Sequence, residues 1–208
     1  MNEQTVFIID DDSSVRKGLT RLIKAARLNV ESFASAREFL GSGNIDKPGC
    51  IILDIQMPEM TGPELQEELG KTENCLPIIF LSAHGDVPIT AQAMKKGAVD
   101  FLTKPVDGTD LINSVHISIE KNRIFRIKNR EKIAINERLN KLTLREYEVM
   151  TYVITGMLNK QIAGEMIISE ETVKIHRRRV MQKLGIVSTP ELVRICLTVG
   201  IAQAIPNN

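Results

Sequence analysis

Cys50-Ile51-Ile52-Leu53-Asp54 is an apolar run that ends in a carboxylate, and Met57-Pro58 follows shortly after it. Two other runs end on charge. Val6-Phe7-Ile8-Ile9 leads into the acid triplet Asp10-Asp11-Asp12, and Val99-Asp100-Phe101-Leu102 leads to Lys104-Pro105. Short apolar runs separated by helical patterns read as strands of a parallel sheet. In such a sheet the strand C-termini share one edge, and that edge is where these folds place their sites. Carboxylates and a lysine gathered there would bind a divalent cation and a phosphoryl group.

Outward from these runs, strand and helix signals alternate. Val15, Leu19, Leu22, Ile23 and Ala26 recur at helical spacing. Val30 and Phe33 mark a short second strand, and Ser35-Ala36-Arg37-Glu38 is a capping box that opens a second helix. Leu65 and Leu69 mark a third helix. Pro77–Leu81 is the fourth strand, a helix follows around Ile89–Lys95, and Ala98–Leu102 is the fifth strand. The alternation predicts an α/β unit with a five-stranded parallel sheet and right-handed crossovers.

No strand signal lies between Gly108 and Leu142. Leu111, Ile112, Val115 and Ile119 form a helical stripe, and Ile124, Ile127, Ile133 and Leu139 continue it among many Lys and Arg. The segment is one long helix, or a helix plus a helical linker; its spacing is too irregular for a heptad seam. The last third reads as four short helices. Thr143-Leu144-Arg145-Glu146 caps the first, Asn159–Met166 is the second, Ser169 caps the third to Leu184, and Ser188-Thr189-Pro190-Glu191 opens the fourth.

Composition narrows the classes. Of 208 residues, 43% are hydrophobic and 25% charged, as in ordinary globular chains. No run of 18 apolar residues predicts a membrane span. Met1-Asn2-Glu3-Gln4 does not resemble the start of a signal peptide. Cys50, Cys75 and Cys196 lack CxxC spacing, which argues for reduced thiols in a cytoplasmic protein and against a disulfide framework or zinc site. Residues 1–106 carry 11 Lys and Arg against 15 Asp and Glu, whereas residues 141–208 carry 9 against 6. An acidic first half and a basic last third suit two domains with different partners.

The strand ends carry a coherent chemistry. A carboxylate such as Asp54 can attack a phosphoryl group and form an acyl phosphate. Magnesium takes hard oxygen ligands and neutralises charge on the phosphoryl oxygens. Lys104 supplies a fixed positive charge. Ser82, after Ile78-Ile79-Phe80-Leu81, places a hydroxyl where it could bond a phosphoryl oxygen. An Asp ending a strand is commonly a helix cap or a solvated turn; four strand ends with suitable groups together point to a site. His84 reads as a structural loop histidine, Cys75 as a loop thiol, and Cys50 and Cys196 as core residues.

Residues 5–120 resemble the receiver domain of bacterial two-component response regulators. The resemblance rests on Ile9-Asp10-Asp11-Asp12, on Leu53 through Gly62, on Leu81-Ser82-Ala83-His84-Gly85-Asp86, and on Gly97 through Pro105. It implies Asp54 as phosphoacceptor and Asp10 and Asp11 as magnesium acids, with Gln56 contributing its backbone carbonyl. It implies that Ser82 and Lys104 contact the phosphoryl group and that Phe101 is the switch aromatic. It also implies a cis Lys104–Pro105 bond. Such proteins are not enzymes beyond assisting their own phosphorylation and dephosphorylation.

The predicted helix Glu170–Leu184 carries Lys174, His176, Arg177, Arg178, Arg179 and Lys183, with Val173, Val180 and Leu184 as apolar anchors. Lys174 and Arg178 are four apart and share a face. Cations meet phosphates and side chains on one helix face meet base edges, so this is a helix-turn-helix reading; from charge alone a solvated basic face is the rival. Leu142 through Glu146, Gly156 through Ala163 and Ser169 through Arg177 resemble the LuxR-type helix-turn-helix. With the receiver, the chain resembles the NarL/FixJ family. The resemblance implies Lys174, Ile175 and Arg178 facing the groove, and Lys160, Thr172, His176 and Arg177 near phosphates. It implies a dimer contact through the fourth helix, Leu192–Leu197.

The fold expected is a flavodoxin-like five-stranded α/β receiver (1–120), a helical linker (121–140) and an all-α four-helix helix-turn-helix domain (141–208). The expected partners are a sensor histidine kinase, double-stranded DNA and a second copy of the chain when phosphorylated or DNA-bound, with RNA polymerase a further candidate and no membrane. The expected function is transcriptional regulation controlled by phosphorylation. A regulator acting independently of phosphorylation is one rival. Another is a haloacid-dehalogenase-type phosphatase with Asp10 as nucleophile, read from Asp10-Asp11-Asp12-Ser13-Ser14; it leaves Asp54 and the last third of the chain unexplained.

Overall fold

A computed structural model describes residues 4–72, 76–83 and 87–201. Cys75 and His84 lie outside those residues. The chain divides into two compact units, residues 1–126 and 127–208.

The first unit alternates β1 Thr5–Ile9, α1 Ser13–Ala25, β2 Asn29–Phe33, α2 Ala36–Gly41, β3 Gly49–Asp54, α3 Gly62–Gly70, β4 Ile78–Ser82, α4 Val87–Lys95 and β5 Asp100–Thr103, and then enters α5 Gly108–Leu139. The strands form one parallel sheet in the order β2-β1-β3-β4-β5. Alternation along the strands explains why β1, β3 and β4 read as unbroken apolar runs. Phe7, Ile9, Ile51, Leu53 and Phe80 face one core with Phe33, Phe39, Leu65 and Leu69. Val6, Ile8, Cys50, Ile52, Ile79 and Leu81 face the other with Leu19, Ile23, Leu111 and Val115. A strand covered on both faces has no polar side to show.

Local chemistry fixes the helix starts. The Asp12 carboxylate caps α1, accepting from the N–H groups of Ser14 and Val15. Thr61 and Glu64 form a reciprocal capping box at α3. Ser35 caps α2 by accepting from Glu38 N–H, but the Glu38 carboxylate bonds the N–H of Ala34, one residue before the cap. The box expected there is therefore only half formed. The helical connector is a single helix, α5, across its whole length.

The second unit contains α6 Leu144–Ile154, α7 Asn159–Met166, α8 Glu170–Leu184 and α9 Thr189–Thr198. They pack around Val149, Met150, Ile162, Val173, Val180, Leu184 and Leu192, together with Ile135 and Leu139 from the end of α5. Thr143 and Glu146 form a full capping box at α6, Ser169 caps α8, and Ser188 caps α9. Glu146 is 2% exposed, and Lys183 of α8 reaches it at 2.6 Å. Burial opposes the charge on Glu146, but the bonds from Lys183 and Thr143 outweigh it and hold the carboxyl below its ordinary range.

Candidate functional site

Sheet register assembles the site. Ile9 pairs with Leu53, so Asp10 and Asp54, the next residues on each chain, lie side by side. Asp54 pairs with Leu81, which puts Ser82 beyond it, and Ser82 pairs with Thr103, which delivers Lys104. Asp10, Asp54 and Ser82 are buried, at 1%, 6% and 7% exposure. Lys104 Nζ lies 2.7 Å from Asp10 Oδ2 and 2.5 Å from Asp54 Oδ1, so one ammonium spans both carboxylates. The Lys104–Pro105 peptide bond is cis.

These groups tune one another. Burial pushes the Asp54 carboxyl up; the Lys104 bond and charge pull the other way without cancelling it, and Asp10 adds to the rise. Burial also opposes the charge on Lys104, but its bonds to Asp10 and Asp54 prevail and its pKa is raised. A buried carboxylate pair with one ammonium still has charge to spare for a cation. The donors are hard oxygens, which suits magnesium. Among the described residues no group of three or more His, Cys, Asp or Glu stands together as a metal cage. Magnesium does not need a closed cage of side chains, because it keeps several waters in its shell.

The surrounding groups are placed as follows. Asp11 and Gln56 are exposed, and Gln56 N–H donates to Asp54 Oδ2 at 2.9 Å. Asp12 N–H donates to Asp10 Oδ1 at 2.9 Å, so Asp12 shapes the turn while its own carboxylate caps α1. Phe101 packs against the core with its ring 6.5 Å from that of Phe80. Two residues carry more of this site than their sequence positions suggest. A Cβ on Gly62 would stand 2.4 Å from the Asp54 carbonyl oxygen, so α3 begins against the end of β3 only because that side chain is missing. Arg16 Nη1 donates to the carbonyls of Asp10 and Asp11 at 2.7 and 2.9 Å.

In the second unit, Val173, Val180 and Leu184 bury one side of α8. Lys174, Ile175, Arg178 and Arg179 are exposed, and Lys160 is exposed on α7. Thr172 is partly buried, and its hydroxyl lies 2.8 Å from that of Ser169. The Arg177 guanidinium turns inward instead of lying open for phosphates, and His176 is half-buried. His176 Nδ1 is buried, and the Arg177 guanidinium donates to Asn159 Oδ1 at 2.7 Å and Thr189 Oγ1 at 3.3 Å. The physical reason is helical phase. Residues 173, 177, 180 and 184 follow one face at 3.6 residues per turn, and α8 packs mainly on α6 and α7.

Comparison with known proteins decides the family. Residues 6–116 match the family described as response regulator receiver domain, and residues 140–196 match the bacterial regulatory proteins of the luxR family. The chain belongs to the response regulators of the NarL/FixJ family. It is 41% identical to Nodulation protein W of Bradyrhizobium diazoefficiens over 95% of this chain and 87% of that protein. It is 37% identical to the transcriptional regulatory protein FixJ of Rhizobium meliloti over 98% of this chain and all of that one. Among solved structures, that of the response regulator StyR covers 94% of this chain and 98% of its own, at 42% identity and a TM-score of 0.82.

Phosphorylation-dependent regulation of transcription characterises this family. A NarL/FixJ regulator implies a sensor kinase and DNA as partners, and its receiver generally uses magnesium. The family is one of transcriptional regulators. Among the described residues, no helix is long and apolar enough to cross a membrane.

Proposed function

We propose that Asp54 accepts a phosphoryl group from the phosphohistidine of a sensor kinase and that its phosphorylation promotes dimerisation and sequence-specific DNA binding. The observation that carries the reading is the Lys104 ammonium shared between buried Asp10 and Asp54. An Asp54 oxygen forms the O–P bond as the P–N bond to the kinase histidine breaks. Asp10, Asp11, Asp54 and the Gln56 carbonyl would hold magnesium, which when bound neutralises charge on the phosphoryl oxygens. Lys104 is within reach to follow the new negative charge from the carboxylate to the phosphoryl group. Ser82 contacts the phosphoryl group, and Phe101 turns inward as Ser82 moves.

The receiver occupies 1–120, the linker 121–140 and the DNA-binding domain 141–208 of a cytoplasmic regulator. Lys174, Ile175 and Arg178 face the major groove, with Lys160 and Thr172 near phosphates. His176 belongs with them, whereas Arg177 leaves that set because its guanidinium is bonded inside the domain. A second copy of the chain binds through α9, and RNA polymerase is the partner at the promoter. Phosphate-affinity gels after acetyl phosphate and magnesium test the core claim. Wild type should give a retarded band, and Asp54→Asn should give none; an unchanged band in the variant refutes the assignment.

A further inference from the structure

The β1–α1 turn holds two of the proposed magnesium acids, and it is wired from both sides. From within, Asp12 N–H donates to Asp10 Oδ1, and the Asp12 carboxylate takes the N–H groups of Ser14 and Val15. From the first turn of α1, Arg16 reaches back and donates from one nitrogen to the carbonyls of both Asp10 and Asp11. Among the described residues no carboxylate forms an ion pair with Arg16, and its guanidinium bonds to the acid turn itself.

We propose that Arg16 is a positioning residue for the phosphoacceptor centre: its fork across two successive carbonyls sets the path of the turn and hence the direction of the Asp11 carboxylate. The inference rests on the reading of Asp10, Asp11 and Asp54 as the magnesium site. Asp10 is held by the strand register, by Asp12 N–H and by Lys104. Asp11 is exposed and lies one residue past the last constrained position, so its backbone decides where its oxygens point. An arginine can span two carbonyls with two N–H groups on one terminal nitrogen. A lysine stem is one bond shorter and carries its charge at a point.

The sign of the effect separates positioning from simple electrostatics. A cation beside a cation site repels the incoming ion, so by Coulomb's law alone removing Arg16 should tighten magnesium binding. If Arg16 positions Asp11, removing it should weaken binding. Groups that orient a metal ligand typically matter by 10–100-fold in affinity, and about tenfold is expected here.

The test is a titration of the full chain with magnesium chloride, followed by calorimetry and by amide NMR shifts, on wild type, Arg16→Met and Arg16→Lys. Arg16→Met should bind magnesium about tenfold more weakly, with a metal-free melting temperature close to wild type. Arg16→Lys keeps the charge and should still bind more weakly than wild type. It also decides the matter should Arg16→Met lose its fold. Wild-type or tighter affinity in a folded Arg16→Lys, or in a folded Arg16→Met, overturns the proposal. Asp11→Ala is the control on the underlying reading. If wild type binds no magnesium, or Asp11→Ala binds it as wild type does, the site assignment fails and the role of Arg16 falls with it. If the control behaves and the Arg16 variants do not differ from wild type, only the positioning role fails.

Discussion

Replacing Arg177 by Ala should lower the stability of the DNA-binding unit and leave the salt dependence of DNA binding nearly unchanged. Arg177 spends its guanidinium inside the domain. One bond to Asn159 at 2.7 Å ties α8 to the start of α7, and one to Thr189 at 3.3 Å ties it to the start of α9. Hydrogen bonds to charged groups contribute about 1.5–3 kcal/mol each, with the long bond at or below the low end. The side chain also lines a small cavity beside Val149, Met150, Val153 and Leu192, so truncation removes packing as well. Because Arg177 is partly exposed, a loss of about 2 kcal/mol is reasonable. In a unit of this size that lowers the melting temperature by roughly 10 °C. A phosphate contact has another signature: each one lost reduces the slope of log affinity against log salt by about 0.9. Fluorescence anisotropy over a salt series, on a cognate and a scrambled duplex, reads the slope, and circular dichroism reads the melt. Lys160→Ala should flatten the slope without a matching loss of stability. Lys174→Ala should instead lower discrimination between the duplexes by about 1–3 kcal/mol. An Arg177→Ala protein that melts like wild type and loses one unit of slope would refute the reasoning, because the guanidinium would then have to leave Asn159 and Thr189 for DNA.

Three further outcomes are expected. Gly62→Ala should destabilise the receiver by about 1–3 kcal/mol, since its Cβ would meet the Asp54 carbonyl oxygen at 2.4 Å and Phe80 at 3.0 Å; an unchanged denaturation midpoint contradicts this. Ile167 is a β-branched residue at φ 55° and 92% exposed, closing α7 with the same pair of backbone bonds that Gly185 makes after α8. Ile167→Gly should therefore raise stability by about 1 kcal/mol or less, the left-handed strain relieved minus the chain entropy glycine adds, and a lower melting temperature would count against it. The Glu146 carboxyl is held below its ordinary 4.5, so its contribution is present above that pH and lost as pH falls through the lower folded value. Glu146→Gln should remove that acid-dependent component, and an acid midpoint identical to wild type would show that the Lys183 pair carries none of it.

The receiver was legible because its function sits on its fold. With Val6–Ile9 and Cys50–Leu53 as neighbouring parallel strands, their terminal acids must share an edge. The register that pairs Ile9 with Leu53 made Asp10 and Asp54 adjacent without further detail. An unbroken apolar run and a change of residue type at the strand end are enough. Gly62 and Arg16 carried no such signal. Gly62 opens a helix behind a capping threonine, where glycine is unremarkable, and only the 2.4 Å approach of a missing Cβ shows why it is there. Arg16 is one cation among several on the open side of α1, and its reach back to two carbonyls depends on a rotamer that no periodicity records.

The face that α8 exposes is harder to read for a related reason. Its charge identified α8, but charge does not give phase. Lys174, Arg177 and Arg178 are equivalent as cations in a list of residues, and a family pattern places both Lys174 and Arg177 on DNA. The buried trio Val173, Val180 and Leu184 fixes the inward direction. Residue 177 lies four past 173 and three before 180, so it falls between two core residues on the same face, whereas 174 and 178 lie on the neighbouring, exposed face. The three apolar anchors already contained the answer for Arg177, since a cation between two of them must either find polar partners inside or unpack the helix. Asn159 and Thr189, each at the first turn of a neighbouring helix, are those partners. The same cation that looks like a DNA contact in sequence is thereby one of the groups that hold α8 against α7 and α9, and the angle at which Lys174, Ile175 and Arg178 are presented depends on it.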